Sequence, residues 1–261
     1  MTVPPLPLAP PSLRLRALEN LVLVEAWTAV PALSILAWAP CGDGHPVLVL
    51  PGFAASDNST WYLRNVLRAK GHAAHGWGLG SNVGPHPRVV RGMERRLLEL
   101  ADQHGRSVSL VGWSLGGVYA RELARTHPDK VRSVVTLGSP FRLRDDDGSS
   151  AQALYRRLAP HRDPFPGRLA REHQRDPVPV PTTSIYTRTD GVVRWHACID
   201  VAGPTSENVE VRGTHTGLGL NAAALLVVAD RLAQPDGRWQ PFRPPRLFAH
   251  LYPEPASWAP V

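Results

Sequence analysis

Cysteine is nearly absent from this 261-residue chain: Cys41 and Cys198 are the only two. Two cysteines cannot build the disulfide framework of a small secreted scaffold, so free thiols are expected. No CxxC motif or His/Cys cluster with ligand spacing occurs, and no metal is expected. Asp145-Asp146-Asp147-Gly148 lacks the alternating spacing of a calcium loop and reads as a solvated acidic loop. Lysine is equally scarce. Lys70 and Lys130 are the only two, so the net charge of +7 is carried almost wholly by arginine. The arginines are scattered rather than gathered into a stripe, which gives no footprint for a nucleic acid. A solvated basic surface is the simplest reading, and an anionic surface or acidic lipid is the alternative.

Long uninterrupted apolar runs are missing too. Ala17 to Ala39 is apolar on balance but holds Glu19, Glu25 and Pro31, which argues against a membrane span. Leu18, Leu21, Val22, Glu25 and Ala29 fall near helical spacing. A helical segment over 12–39 is therefore expected, either packed on the domain or in peripheral contact with a membrane. Met1 to Pro11 is proline-rich with no basic region before an apolar block, unlike a standard secretory signal, so a cytoplasmic location is expected. Asn58-Ser59-Thr60 fits a glycosylation sequon, which matters only in a secretory context.

What is present alternates. Pro46-Val47-Leu48-Val49-Leu50-Pro51 is a short continuous apolar run between turn residues, as a strand buried on both faces reads. A helix is expected over Asn58 to Lys70, capped by Asn58 or Ser59 and stopped by Gly71. A strand over Ala73 to Trp77, a helix over Val89 to His104, a strand over Val108 to Val111 and a helix from Val118 follow. Val131 to Leu137, Thr182 to Thr187 and Asn208 to Val211 read as further strands, and Ala222 to Ala233 as the last helix. Such alternation implies one α/β domain over 1–261, with a mostly parallel sheet and helices on both faces. Gly76 to Asn82 is glycine-rich but lacks GxGxxG spacing, so it is not read as a dinucleotide loop. Between Phe141 and Pro181 the periodicity weakens, and this stretch reads as a lid or cap with one short helix near Ser150 to Leu158. Gln234 to Val261 carries seven prolines and reads as an extended surface tail.

Gly112-Trp113-Ser114-Leu115-Gly116 sits where a strand gives way to a helix. A Gly-x-Ser-x-Gly on such a turn holds its serine in a strained conformation with the hydroxyl projecting, and aims helix N–H groups at the same point. A serine hydroxyl needs a base, and the base needs a partner to fix its tautomer. Ser114, Asp190 and His215 occur in that order, each after a strand, where active sites of open α/β sheets lie. His196 is the second choice for the base. His127 reads as a helix end, and His161 and His173 fall in the lid. Asp200 and Glu207 have less strand support as the acid. The Leu115 N–H and the Phe53 N–H, the latter on the loop after the first strand, are the expected oxyanion donors. Phe53 and Trp113 are read as lining an acyl pocket or as core residues.

Pro51-Gly52-Phe53, Gly112 to Gly117, Thr136-Leu137-Gly138-Ser139-Pro140, Thr189-Asp190-Gly191-Val192-Val193 and Gly213-Thr214-His215 together resemble bacterial lipase-like serine esterases of the α/β-hydrolase fold. The likeness spans about Val47 to Leu232. It implies a carboxylic-ester hydrolase working through an acyl-enzyme, with a small-molecule or lipid ester as substrate and no cofactor. Two alternatives stay open: an acyltransferase using the same triad, and a non-catalytic relative that binds an apolar ligand. Acyl chain length and oligomeric state are not specified by these motifs.

Overall fold

The computed structural model describes residues 10–22, 33–142 and 177–257. The expected lid helix near 150–158, and the lid stretch from 143 to 176, lie outside the described residues, as do positions 23–32 of the N-terminal segment.

Six strands form one sheet: β1 Pro46–Leu50, β2 Ala73–Gly76, β3 Val108–Trp113, β4 Val131–Leu137, β5 Thr182–Tyr186 and β6 Ser206–Glu210. Their spatial order is β2-β1-β3-β4-β5-β6, and every neighbouring pair is parallel. Parallel strands need crossovers, and among the described residues α-helices supply those from β1 to β2, β2 to β3 and β3 to β4. Among the described residues the α-helices are α1 Leu13–Leu18, α2 Leu33–Leu36, α3 Trp61–Ala69, α4 Pro87–His104, α5 Leu115–Thr126 and α6 Ala222–Leu232.

Successive side chains in a strand point to opposite faces, so a continuous apolar strand feeds two cores. Val47 and Val49 pack on one face with Leu63, Val66 and Leu67 of α3 and with α6. Leu48 and Leu50 pack on the other with Met93, Leu97 and Leu100 of α4 and with Tyr119 and Leu123 of α5. Burying each such side chain contributes about 1.5–3 kcal/mol. All of β1 and β5 is buried, which is why those segments show no polar alternation.

Helix boundaries shifted for local reasons. The helix expected from Asn58 starts at Trp61, because residues before it close turns: Thr60 N–H donates to Asp57 O and Trp61 N–H to Asn58 O. The helix expected from Val89 starts at Pro87, whose fixed φ suits the first helical position, while His86 Nδ1 accepts from Arg88 N–H. Over residues 234–257 the tail has no strand; it turns at Asp236 and Gly237 and forms a 3-10 helix at Arg246–Leu251. It packs Phe242 and Tyr252 against the first core, and Ala256 N–H donates to the Tyr186 hydroxyl at 2.6 Å. Cys41 is exposed, Cys198 is buried, and both are free. Among the described residues no helix is long and apolar enough to cross a membrane.

The chain leaves β1 toward β2, then crosses back to place β3 on the other side of β1. The loops after β1 and β3 therefore run to opposite sides, and the carboxyl ends of these two strands are the usual ligand position in such sheets.

Candidate active site

Ser114 follows β3 immediately and is the residue before α5, with φ 52° and ψ −122°. A positive φ is costly for a residue with a Cβ, and such strain survives only where the surroundings impose it. They do so here. A side-chain carbon at Gly112 would lie 2.2 Å from Gly117 Cα, and one at Gly116 would lie 2.2 Å from Leu50 O. The helix is thus pressed onto the strand ends by two positions that tolerate no Cβ. Ser114 N–H donates to Leu137 O at 2.8 Å, tying the turn to the end of β4.

The sheet register brings the loop after β1 to the same point. Leu50 pairs with Gly112, so Gly52 comes level with Ser114. A carbon added at Gly52 would stand 3.2 Å from Ser114 Cβ. Phe53, next in the chain, is half-buried, as is Leu115.

The shape of this loop depends on Asn82, a buried residue that sequence reading left inside an unassigned glycine-rich stretch. Its Nδ2 donates to Pro51 O at 2.9 Å, and its Oδ1 accepts from Gly84 N–H at 3.2 Å. Its backbone accepts from Ala54 N–H and donates to Ala55 O, both at 2.7 Å. These bonds hold Ala54 at φ 60°. Asn82→Ala should cost about 1–3 kcal/mol of stability by orphaning Pro51 O. It should also lower kcat of any ester hydrolysis, because the loop bearing Phe53 loosens. Urea unfolding and steady-state kinetics on one ester check both.

Asp190 and His215 meet directly. His215 Nδ1 lies 2.6 Å from Asp190 Oδ2, and both residues are buried. The other carboxylate oxygen, Oδ1, accepts from Val192 N–H at 2.8 Å and Val193 N–H at 2.7 Å, which fixes the carboxylate plane. Burial pushes the His215 pKa down, but the Asp190 charge and hydrogen bond, with a smaller contribution from Glu19, outweigh it and hold the pKa above 6.5. His215 stands beside the elbow: Trp113 Nε1 donates to His215 O at 3.1 Å. A carbon added at Gly138, which follows the Leu137 that receives the Ser114 N–H, would lie 3.0 Å from His215 Nδ1. Trp113 is packed over Gly219, where an added carbon would meet its ring at 2.6 Å, so its indole braces the loop that bears His215.

The competing residues are engaged elsewhere. His196 stacks on Trp195 with ring centroids 3.6 Å apart. Asp200 sits between Arg121 at 2.7 Å and Arg142 at 3.0 Å. Glu207 accepts from Arg231, Thr183 and the Phe242 N–H. Glu19, noted in the sequence only as a charge interrupting an apolar segment, contacts both Gly191 and His215.

A second Ser, His and Asp run occurs at the opposite, amino end of the sheet. His45 Nδ1 is 2.5 Å from Asp43 Oδ1, and its Nε2 is 3.0 Å from Ser109 Oγ. Ser109 is fully buried within β3 and also contacts Ser133 Oγ at 3.0 Å. No acyl carbon can approach it, and no helix N-terminus points at it. Burial holds the His45 pKa below 6.5. This chain clamps strand starts, and connectivity alone does not make a nucleophile.

Comparisons with known proteins agree with this architecture. Residues 45–160 match the family described as alpha/beta hydrolase fold. A pimeloyl-[acyl-carrier protein] methyl ester esterase of Chromobacterium violaceum is 35% identical over 105 residues, covering 30% of this chain and 41% of that protein. Its namesake in Neisseria meningitidis is 39% identical over 70 residues, covering 25% of this chain and 27% of that protein. The chain thus spans less than half the length of these curated relatives. A metagenome-derived lipolytic enzyme superposes with TM-score 0.56 at 17% identity, over 74% of this chain and 94% of that one. A monoacylglycerol lipase of Paleococcus ferrophilus superposes with TM-score 0.50 at 14% identity, over 73% and 96%. The parallel sheet, the strained serine turn after β3 and these likenesses converge: the chain is an α/β-hydrolase-fold protein.

Proposed function

We propose that the protein is a serine carboxylic-ester hydrolase, with Ser114 as nucleophile, His215 as general base and acid, and Asp190 as the carboxylate that orients His215. One observation carries the reading: a strained serine follows a strand whose last residue, Trp113, donates to the backbone of a buried histidine already paired with a carboxylate. With Nδ1–H donated to Asp190, the lone pair of His215 is on Nε2, the atom that accepts a serine proton.

In the forward step Ser114 Oγ bonds to the acyl carbon and its proton passes to His215 Nε2. The carbonyl oxygen becomes an oxyanion, which the Leu115 and Phe53 N–H groups stabilise. Losing one such donor costs about 2.7–4 kcal/mol in comparable sites. The C–O bond to the alcohol then breaks, and His215 returns the proton to the departing oxygen. Water attacks the acyl-enzyme by the same route, giving the acid and free Ser114. The two curated relatives act, by name, on a methyl ester, so a methyl ester belongs beside p-nitrophenyl acetate to palmitate in the substrate series.

The test is reaction with a fluorophosphonate, followed by peptide mapping. A single adduct on Ser114, together with turnover of an ester, is expected. An unlabelled Ser114 in a protein that turns over no ester would defeat the reading.

The pH dependence has a definite sign. Only neutral His215 accepts the proton, so kcat/KM falls as pH drops through its pKa. Because Asp190 and Glu19 outweigh burial, that limb should sit above pH 6.5. A limb well below 6.5 in a kcat/KM–pH profile would contradict the assignment.

A further inference from the structure

Glu19 lies more than 170 residues from the proposed acid and base in sequence, yet one carboxylate receives four donors from their loops. Oε1 accepts from Gly191 N–H at 2.8 Å and from His215 N–H at 3.0 Å. Oε2 accepts from Thr216 N–H at 3.0 Å and Thr216 Oγ1 at 2.7 Å. Gly191 directly follows Asp190, and His215 is the base itself. The loops after β5 and β6 leave different strands and need an outside tie to hold them in register. Glu19 supplies it from the segment that follows α1.

We propose that Glu19 is a positioning residue of the esterase site, clamping the Asp190 loop to the His215 loop, so that the N-terminal segment completes an active site the sheet alone leaves unbraced. The inference rests on the reading of Ser114, Asp190 and His215 as the triad.

A second observation places the clamp independently of its hydrogen bonds. A carbon added at Gly191 would lie 2.2 Å from Leu15 O and 2.9 Å from Glu19 Cγ. Backbone of α1 therefore rests directly on the residue after the acid. Glu19 is half-buried; burial raises its pKa, but the donors from Thr216, Gly191 and His215 outweigh that and hold it below its usual value. It is ionised wherever His215 is active. Among the described residues the charged groups that act on His215 are Asp190, from the loop after β5, and Glu19, from the N-terminal segment. The nearby Cys198 thiol is kept neutral by burial and by the Asp190 charge. Removing the Glu19 charge should thus favour neutral His215.

Glu19→Ala and the isosteric Glu19→Gln, measured on one ester beside wild type and Ser114→Ala, test this. Loss of outer-shell support around an active group typically costs about 10–100-fold. Glu19→Ala should lose kcat in that range with KM changed less than about twofold. Glu19→Gln should shift the acid limb of kcat/KM to lower pH. Gly191→Val, which displaces Leu15, should reproduce the kcat loss. If the alanine variant does not fold, the Gln profile decides.

Unchanged kcat and an unmoved acid limb in the Gln variant overturn the proposal, even if its melting temperature falls, since a mere anchor would produce that result. The two failures are distinguishable. Ser114-dependent turnover that ignores Glu19 defeats the clamp alone. Turnover that survives Ser114→Ala defeats the triad reading, and the clamp with it.

Discussion

Ester turnover by Ser114→Ala should fall by about six orders of magnitude in kcat, the loss seen when a nucleophile of this type is removed. The fold should survive, because the interactions that build the turn are backbone ones. The Ser114 N–H bond to Leu137 O and the close approach of Gly112 to Gly117 and of Gly116 to Leu50 need no hydroxyl. A parallel Ser114→Gly variant separates strain from chemistry. Glycine accepts φ 52° without a Cβ penalty, so this variant should lose activity equally while gaining stability of about 1 kcal/mol. Kinetics on p-nitrophenyl esters and thermal unfolding of the three proteins decide the matter. Retained turnover in either variant would remove Ser114 from the mechanism.

Asp190→Asn should lower kcat by about 10⁴, as for the equivalent change in a Ser-His-Asp triad. The hydrogen bonds around Asp190 say how. Val192 and Val193 N–H groups both donate to Oδ1, so an asparagine must place its carbonyl oxygen there. Its NH₂ group then faces His215 Nδ1, which must accept rather than donate. The imidazole proton moves to Nε2, the atom that has to receive the Ser114 proton. Geometry is kept and the tautomer is wrong. Imidazole ¹⁵N shifts would report the exchange directly. A kcat within about tenfold of wild type would show that Asp190 does not govern the tautomer.

The β1 run was legible because a strand covered on both faces tends to be apolar throughout, and Val47 to Leu50 is. The elbow was legible because Gly112 and Gly116 answer a local steric demand within five residues. Helix starts were less so, since the ends of α3 and α4 are set by turn bonds at Asp57 and by His86. Asn82 carried no local signal: it ends a glycine-rich stretch, and its role appears only when Pro51 and Ala54 fold against it. Glu19 did leave a trace, a carboxylate in an apolar segment, which marks a buried partner as readily as a surface.

By itself the sequence determined the alternation of strands and helices, the serine turn, and the order Ser114, Asp190, His215, because periodicity, turn sterics and chain order are local properties. Tertiary structure alone shows which candidate acid and which candidate histidine meet. Asp200, a weaker candidate in sequence, is ion-paired between Arg121 and Arg142, while Asp190 meets His215 at 2.6 Å. It also decided between two runs of the same residue types. Asp43, His45 and Ser109 join at the amino ends of the strands, where the serine is sealed inside β3. Ser114 lies at the carboxyl ends, where the loops after β1 and β3 run to opposite sides. Which of two such runs takes the usual ligand position depends on strand order and register, and these are set by long-range packing that no short stretch of sequence records.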